Sequence, residues 1–107
     1  VIGENFMQQL KLISTEGIIK IALMGEIDSS SSEDFYTEVC AVYDHAPQSI
    51  ELDCSALEFI DSTTLGTFVK LFKKLKADNN SLTLINLTPR IKKLFEICSL
   101  DKLMEIK

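Results

Sequence analysis

The sequence predicts one α/β domain with a mixed, mostly parallel sheet, an N-terminal antiparallel edge strand and helices packed mainly on one face. Three observations predict this class. Strand-like and helix-like hydrophobic patterns alternate along the chain, which favours parallel strands joined by helical crossovers. The first two strand-like segments flank a glycine, as in a hairpin. The 107 residues, 46% hydrophobic and 25% charged, suit a single core.

The N-terminal part of the chain predicts a β-hairpin. Residues 8–15 and 18–24 are β-rich, and the turn residues Glu16 and Gly17 separate them. The second strand is expected to end at residues 25–28, because glycine and acidic residues interrupt the apolar pattern there. This hairpin would supply the antiparallel edge of the sheet.

A first helix is expected after the hairpin. Ser30 and Glu33 match a capping box, in which two side chains satisfy free backbone amides at a helix start. The helix is expected to run to about Asp44, and Pro47 marks the loop beyond it. Its predicted apolar face consists of Phe35, Tyr36, Val39, Cys40 and Tyr43.

A third strand and a second helix follow. Residues 49–54 alternate apolar and polar side chains, as a half-buried strand does. Residues 55–61 are interpreted as a short connection, and a helix is expected from Ser62 to about Asp78. Phe68 and Phe72 are expected to lie under the sheet. The predicted apolar face of this helix consists of Leu65, Phe68, Val69, Phe72 and Leu75.

The C-terminal part predicts a further strand and helix. Residues 81–87 form the strand, and Thr88 followed by Pro89 is a typical helix start. Residues 102–107 are either a last short strand or a frayed end. The predicted apolar face of the helix consists of Ile91, Leu94, Phe95 and Cys98.

Composition excludes several classes of function. The chain carries 11 basic and 16 acidic residues, a net charge of −5, which argues against binding to nucleic acid or to anionic lipid. No apolar run approaches the ~18–20 residues of a membrane span, and no signal peptide is recognisable. We therefore expect a cytoplasmic protein, with residues 1–7 as an N-terminal extension or tag remnant and residues 8–107 as the domain.

Cysteine spacing argues against disulfides and metal. Cys40, Cys54 and Cys98 are odd in number, widely spaced and surrounded by apolar residues, so we expect buried free thiols in a reducing compartment. His45 is the only histidine, and no nucleophile-elbow motif is present. The sequence therefore predicts no metal, no cofactor and no enzymatic activity.

The stretch most informative about function is Asp61, Ser62, Thr63 and Thr64, where a strand gives way to a helix. Ligands bind at this end of open α/β sheets. One interpretation is structural, with Asp61 or Ser62 as the N-cap. The other is functional, because a helix start tolerates an anion such as a phosphoryl group on Ser62.

Three motifs resemble the STAS domains, and among these the bacterial anti-sigma factor antagonists. The first is 59–66, Phe-Ile-Asp-Ser-Thr-Thr-Leu-Gly, similar to the family's hydrophobic pair followed by Asp-Ser-x-Gly-Leu-Gly. The second is 25–28, Gly-Glu-Ile-Asp, and the third is the late strand, loop and helix at 84–95. The ending at 99–103 also fits, and the resemblance covers about residues 8–107.

The resemblance implies a partner switch. An anti-sigma factor that is also a serine kinase would be sequestered while Ser62 is unphosphorylated and released after phosphorylation, and a phosphatase would reset the site. Thr63 is the alternative acceptor. The domain is expected to be a monomer or a weak dimer. The implied partner-binding residues are Asp28, Ser29, Asp61, Ser62, Thr63, Thr64 and Gly66.

The sequence departs from the family pattern at Thr64, where the family has glycine. A threonine adds bulk and a hydroxyl where glycine would leave a bare backbone for a partner. The alternative hypothesis is therefore a STAS subunit that docks on a transporter or a larger signalling scaffold without phosphorylation. A hydrolase with Ser62 as nucleophile is disfavoured, because a base must lie within hydrogen-bond reach and His45 belongs to a distant loop.

Overall fold

The computed structural model describes residues 8–107, so the predicted extension at residues 1–7 lies outside the described residues. Strands and helices alternate after an initial strand pair, as predicted. A short 3-10 turn at Leu100–Lys102 precedes the last strand. The elements are β1 (Leu10–Ser14), β2 (Ile19–Ile27), α1 (Ser32–His45), β3 (Ile50–Ile60), α2 (Ser62–Ala77), β4 (Leu82–Ile85), α3 (Pro89–Ile97) and β5 (Glu105–Ile106).

Within residues 8–107 the strands form a five-stranded sheet in the order β1-β2-β3-β4-β5. β1 is antiparallel to β2, and the hairpin turn contains Gly17 at a φ of 78°, a left-handed conformation that suits glycine. The other three pairs are parallel. The predicted mixed sheet with an antiparallel edge is confirmed, and the C-terminal segment forms a strand rather than a frayed end.

A chain of three aromatic rings holds the helices together on one face of the sheet. Phe35 of α1 and Phe68 of α2 meet edge to face with ring centroids 5.4 Å apart. Phe68 in turn lies 5.6 Å from Phe95 of α3, measured between centroids. All three rings are fully buried with the apolar side chains of β2 and β3. The predicted packing of helices on one face is confirmed.

The buried face of α2 is rotated relative to the predicted one. Leu71 is fully buried, whereas Phe72 and Val69 are only half-buried at the rim of the core. The buried stripe follows Leu65, Phe68, Leu71 and Leu75 at spacings of 3, 3 and 4, which is one face of a helix. The expectation that Phe72 lies under the sheet was wrong, because the apolar stripe is wider than the face that contacts the core.

β3 is longer than predicted, since residues 55–60 continue the strand instead of forming a connection. Ala22 and Met24 of β2 pair with Asp53 and Ala56 of β3, so β3 carries one extra residue there, and a second irregularity follows near Leu57. Each bulge shifts the side-chain pattern. Burial therefore changes from every second residue to every third, with Cys54, Leu57 and Ile60 buried. The loss of alternation hid the second half of this strand.

The cysteines differ in environment. Cys54 is fully buried in the core, and burial raises its thiol pKa to about 12. Cys40 is half-buried, whereas Cys98 ends α3 and is exposed. The expectation that all three are buried was therefore wrong for Cys98, because α3 ends before its apolar stripe reaches that residue.

A helix that crosses a bilayer needs about 20 mostly apolar residues. None of the helices within residues 8–107 combines the length and the apolar character needed to cross a bilayer. The same part of the chain contains no group of three or more His, Cys, Asp or Glu side chains arranged to hold a metal ion.

Candidate functional site

The candidate site lies where two neighbouring parallel strands end. β2 runs into a loop at residues 28–31, and β3 runs through Asp61 directly into α2. The carboxyl ends of parallel strands meet at one edge of the sheet, so these two loops lie side by side. The motifs that the sequence separates by more than 30 residues are therefore brought together.

Asp61 joins the two loops through its carboxylate. Its Oδ1 accepts a hydrogen bond from the backbone amide of Thr64 at 3.0 Å, which makes Asp61 the N-cap of α2. Its Oδ2 accepts from the backbone amide of Ser29 at 2.8 Å. Of the two capping candidates in the sequence, Asp61 has the structural role, and Ser62 is the first helical residue.

Thr64 is the buried part of the site. Its side chain is fully inaccessible, and its hydroxyl donates to the carbonyl oxygen of Ile27 at 2.6 Å. The same hydroxyl lies 3.0 Å from Asp61 Oδ1. We expected Thr64 to add bulk to the partner surface, but its side chain points into the fold and ties the end of β2 to the start of α2.

The loop at residues 28–31 is organised by Asp28, not by the predicted capping box. Asp28 Oδ1 accepts from the amide and the hydroxyl of Ser30 at 2.9 and 2.6 Å. The Ser31 hydroxyl accepts from the Asp28 amide at 3.1 Å, and α1 begins at Ser32 with Ser31 before it. The capping-box assignment of Ser30 with Glu33 was wrong, because an Asx turn at Asp28 holds Ser30 outside the helix.

The remaining site residues form an exposed surface. Ser62 and Thr63 are exposed at the first turn of α2, and Gly66 is exposed one turn later. Ser29 is exposed on the neighbouring loop. Within residues 8–107, the Ser62 hydroxyl makes no hydrogen bond. The structure thus brings the predicted residues to one surface, with Thr64 beneath it.

Both site carboxylates are held in the ionised state. The pKa of Asp28 is lowered, first of all by the Ser30 hydroxyl, and nearby Asp61 acts against this shift. The pKa of Asp61 is lowered, first of all by the backbone amide of Thr64 and also by that of Ser29. The site therefore carries two negative charges at neutral pH, one of them on the residue directly before Ser62.

The lowered pKa of Asp61 predicts an acid-sensitive site. A carboxylate whose folded pKa lies below the ordinary 3.8 stabilises the fold above that value and loses the contribution as pH falls through the folded pKa. We expect Asp61→Asn to flatten the loss of stability below about pH 4. Denaturant melts at a series of pH values measure this, with Glu96→Gln on exposed α3 as the control. An unchanged acid profile in Asp61→Asn would contradict the assignment.

The histidine of the chain lies away from the candidate site. His45 is exposed at the last residue of α1, a helix of 14 residues that begins beside the site. A helix of that length spans about 21 Å, so the imidazole lies far from Ser62. The site therefore contains the carboxylates of Asp28 and Asp61, but no imidazole lies near the Ser62 hydroxyl to act as a base.

Sequence reasoning missed the buried half of the site. The contact between Thr64 and Ile27 joins residues 37 apart in sequence and has no local signal. The Asp28 turn did have a local sequence signal, because Asp followed two residues later by Ser favours an Asx turn over a capping box. The exposure of Phe59 beside the site was also missed, since residues 55–60 were interpreted as a connection.

Comparisons with known proteins agree with the resemblance. The model of the STAS domain family matches residues 9–107. The anti-sigma-B factor antagonist of Listeria monocytogenes is 36% identical over 90 residues, which are 83% of this chain and 78% of the relative. The anti-sigma-B factor antagonist of Bacillus subtilis is 31% identical over 91 residues, 85% of this chain and 83% of the relative.

The fold is also found among solved structures. The phosphorylated form of the Bacillus cell fate determinant SpoIIAA superimposes with a TM-score of 0.71. The match covers 92% of this chain and 90% of that one, at 24% sequence identity. At this level of identity the similarity shows a shared fold.

Proposed function

This chain belongs to the STAS domain family, and from this we propose that it is an anti-sigma factor antagonist, a non-enzymatic protein that binds an anti-sigma factor and is controlled by phosphorylation. The observation that carries the proposal is the Ser62 hydroxyl, which is exposed, makes no hydrogen bond among the described residues and directly follows the ionised Asp61, whose carboxylate contacts the loop of the ionised Asp28. The names of the Listeria and Bacillus relatives support the same function.

Ser62 is the proposed phosphorylation site. Its hydroxyl stands at the first residue of α2, exposed and without a hydrogen bond to break among residues 8–107. Thr63 is also exposed and is the alternative acceptor. Ser62 is preferred because it matches the serine that follows the aspartate in the family motif.

A phosphate on Ser62 would make the surface more negative, and the Thr64 amide at the helix start would not be free to bind it. A phosphoserine carries about −1.5 to −2 charges. The Thr64 amide that would attract this anion is already bonded to Asp61. The new charge therefore adds to those of Asp28 and Asp61. A partner that covers this surface would have to bury an uncompensated anion, which costs several kcal/mol.

The switch acts on binding and leaves the fold intact. Ser62 faces solvent, and the bonds that join the two loops belong to Asp61 and Thr64. A phosphoryl group on Ser62 therefore breaks none of them. The same domain would persist in both states and present two different surface charges.

The proposed partners follow from this cycle. The anti-sigma factor itself serves as the ATP-dependent serine kinase, and a phosphatase returns Ser62 to its free form. We place the protein in the cytoplasm, because ATP and the transcription machinery are found there. Residues 8–107 would form the working domain, as a monomer or weak dimer that binds neither nucleic acid nor membrane.

Phosphate transfer tests the proposal. The protein is incubated with the anti-sigma factor of its own organism and ATP, and intact mass and peptide fragmentation are measured. We expect one phosphoryl group per chain on Ser62, none on Ser62→Ala, and one on the matched control Thr63→Ala. Absence of phosphate transfer would favour the alternative, a STAS subunit that docks on a transporter or scaffold. Because phosphorylation is expected to release the partner, binding is measured separately without ATP, and absence of a complex there would contradict the proposal.

A further inference from the structure

β3 has a free edge beside the site. The strand contains 11 residues, but its pairing with β4 covers only Ile50–Asp53. From Ser55 to Ile60, β3 is flanked by β2 on one side. On the other side no strand of the described chain lies alongside it. Ser55, Ala56, Glu58 and Phe59 are exposed there.

Side chains end the β3–β4 ladder at Asp53. Asp53 Oδ1 accepts from the Ser55 amide at 3.0 Å and from Asn86 Nδ2 at 3.2 Å. Asn86 directly follows β4 with a φ of 59°, a left-handed conformation that interrupts the extended strand. The edge beyond Asp53 is therefore left open by a defined turn.

A cleft runs along this open edge. It has a volume of about 280 Å³ and lies between the end of β3 and the first turns of α3. Most of its lining side chains are apolar, so it suits an apolar side chain of a peptide. Phe59 lies in it with 42% of its surface exposed. The lining residues are Glu58, Phe59, Ile60, Arg90, Ile91 and Leu94.

We propose that this edge and cleft bind an extended segment of the anti-sigma factor, which adds a strand to β3 and places an apolar side chain against Phe59 and α3. The inference rests on the proposed function. An unpaired strand edge can form hydrogen bonds with another extended backbone, and alternate side chains of an added strand would enter the cleft. Ile60 directly precedes Asp61 and Ser62, so the docked segment would lie next to the exposed surface that contains the phosphorylation site.

The free edge is long enough for this mode of binding. Six residues at about 3.3 Å each give roughly 20 Å of strand, the length of an ordinary β-strand. The Ser55 amide is already bonded to Asp53, so backbone bonds along residues 56–60 would supply affinity that does not depend on charge. Ser62 at the end of the segment would then supply the control by phosphorylation.

Hydrogen exchange on the complex tests the inference. The protein is measured alone and bound to the anti-sigma factor of its own organism. We expect amide exchange within residues 55–60 to slow at least tenfold on binding, whereas the amides of β1 at the opposite edge stay unchanged. Exchange at residues 55–60 that is unaffected in a formed complex would overturn strand addition.

A side-chain variant tests the cleft. Phe59→Ala is expected to weaken binding at least tenfold, and a denaturant melt of the variant is expected to show a folded protein. Ile13→Ala is the matched control, because Ile13 is also an exposed apolar residue of the sheet, 54% accessible on β1. Wild-type affinity in Phe59→Ala overturns this inference alone. Failure of the wild type to bind overturns it together with the proposed function.

Discussion

Phe68→Ala is expected to lower the free energy of unfolding by about 3–5 kcal/mol, the range for a fully buried phenylalanine. The ring is inaccessible and contacts Phe35 and Phe95, so its loss opens a cavity where all three helices meet. Each aromatic contact adds about 0.5–1.5 kcal/mol beyond the buried area. Denaturant melts followed by circular dichroism measure the change.

The matched control is Phe72→Ala, the same substitution one turn later on α2. Phe72 is half-buried at the rim of the core, so its removal exposes less apolar surface and leaves no closed cavity. We expect about half the loss or less, in proportion to the area buried. Equal losses in the two variants would show that the buried face of α2 is misassigned.

Ser62→Asp is expected to weaken binding to the anti-sigma factor at least tenfold, or about 1.4 kcal/mol. The carboxylate adds a third negative charge beside Asp28 and Asp61, and the partner must cover it. Isothermal titration calorimetry measures the affinity. The denaturant midpoint should stay close to that of the wild type, because Ser62 is exposed.

Ser62→Asn separates charge from shape, since asparagine has the size of aspartate without its charge. We expect Ser62→Asn to bind close to the wild type. Equal weakening by both variants would attribute the effect to bulk, and wild-type binding by Ser62→Asp would refute the charge switch. A lower denaturant midpoint in Ser62→Asp alone would show that the charge also acts on the fold.

The parts of the fold with local signals were predictable. The hairpin around Gly17, the start of α3 at Pro89 and the helical character from Ser62 all follow from turn residues, caps and spacing of apolar residues. The exposure of Ser62 and Thr63 was also predictable, because they belong to a contiguous motif at a strand-to-helix junction, while their role in partner binding stays a prediction.

The parts of the structure that depend on contacts between distant segments were not predictable from the sequence. The bulges of β3 arise from its pairing with β2, so the strand beyond Asp53 lost the alternation by which strands are recognised. The position of Phe72 depended on how α2 turns toward the sheet, a property of packing. The role of Thr64 required the carbonyl of Ile27, which only the folded chain brings within reach.

The burial of Thr64 also bears on which signalling proteins can tell this chain from its relatives. The proposed kinase and phosphatase would contact the outer surface. The Thr64 side chain, which replaces the family glycine, has no accessible area. Recognition should therefore tolerate exchange between chains with glycine and with threonine here. We therefore expect exposed neighbours such as Ser29, Thr63 and Phe59 to distinguish this chain from its relatives.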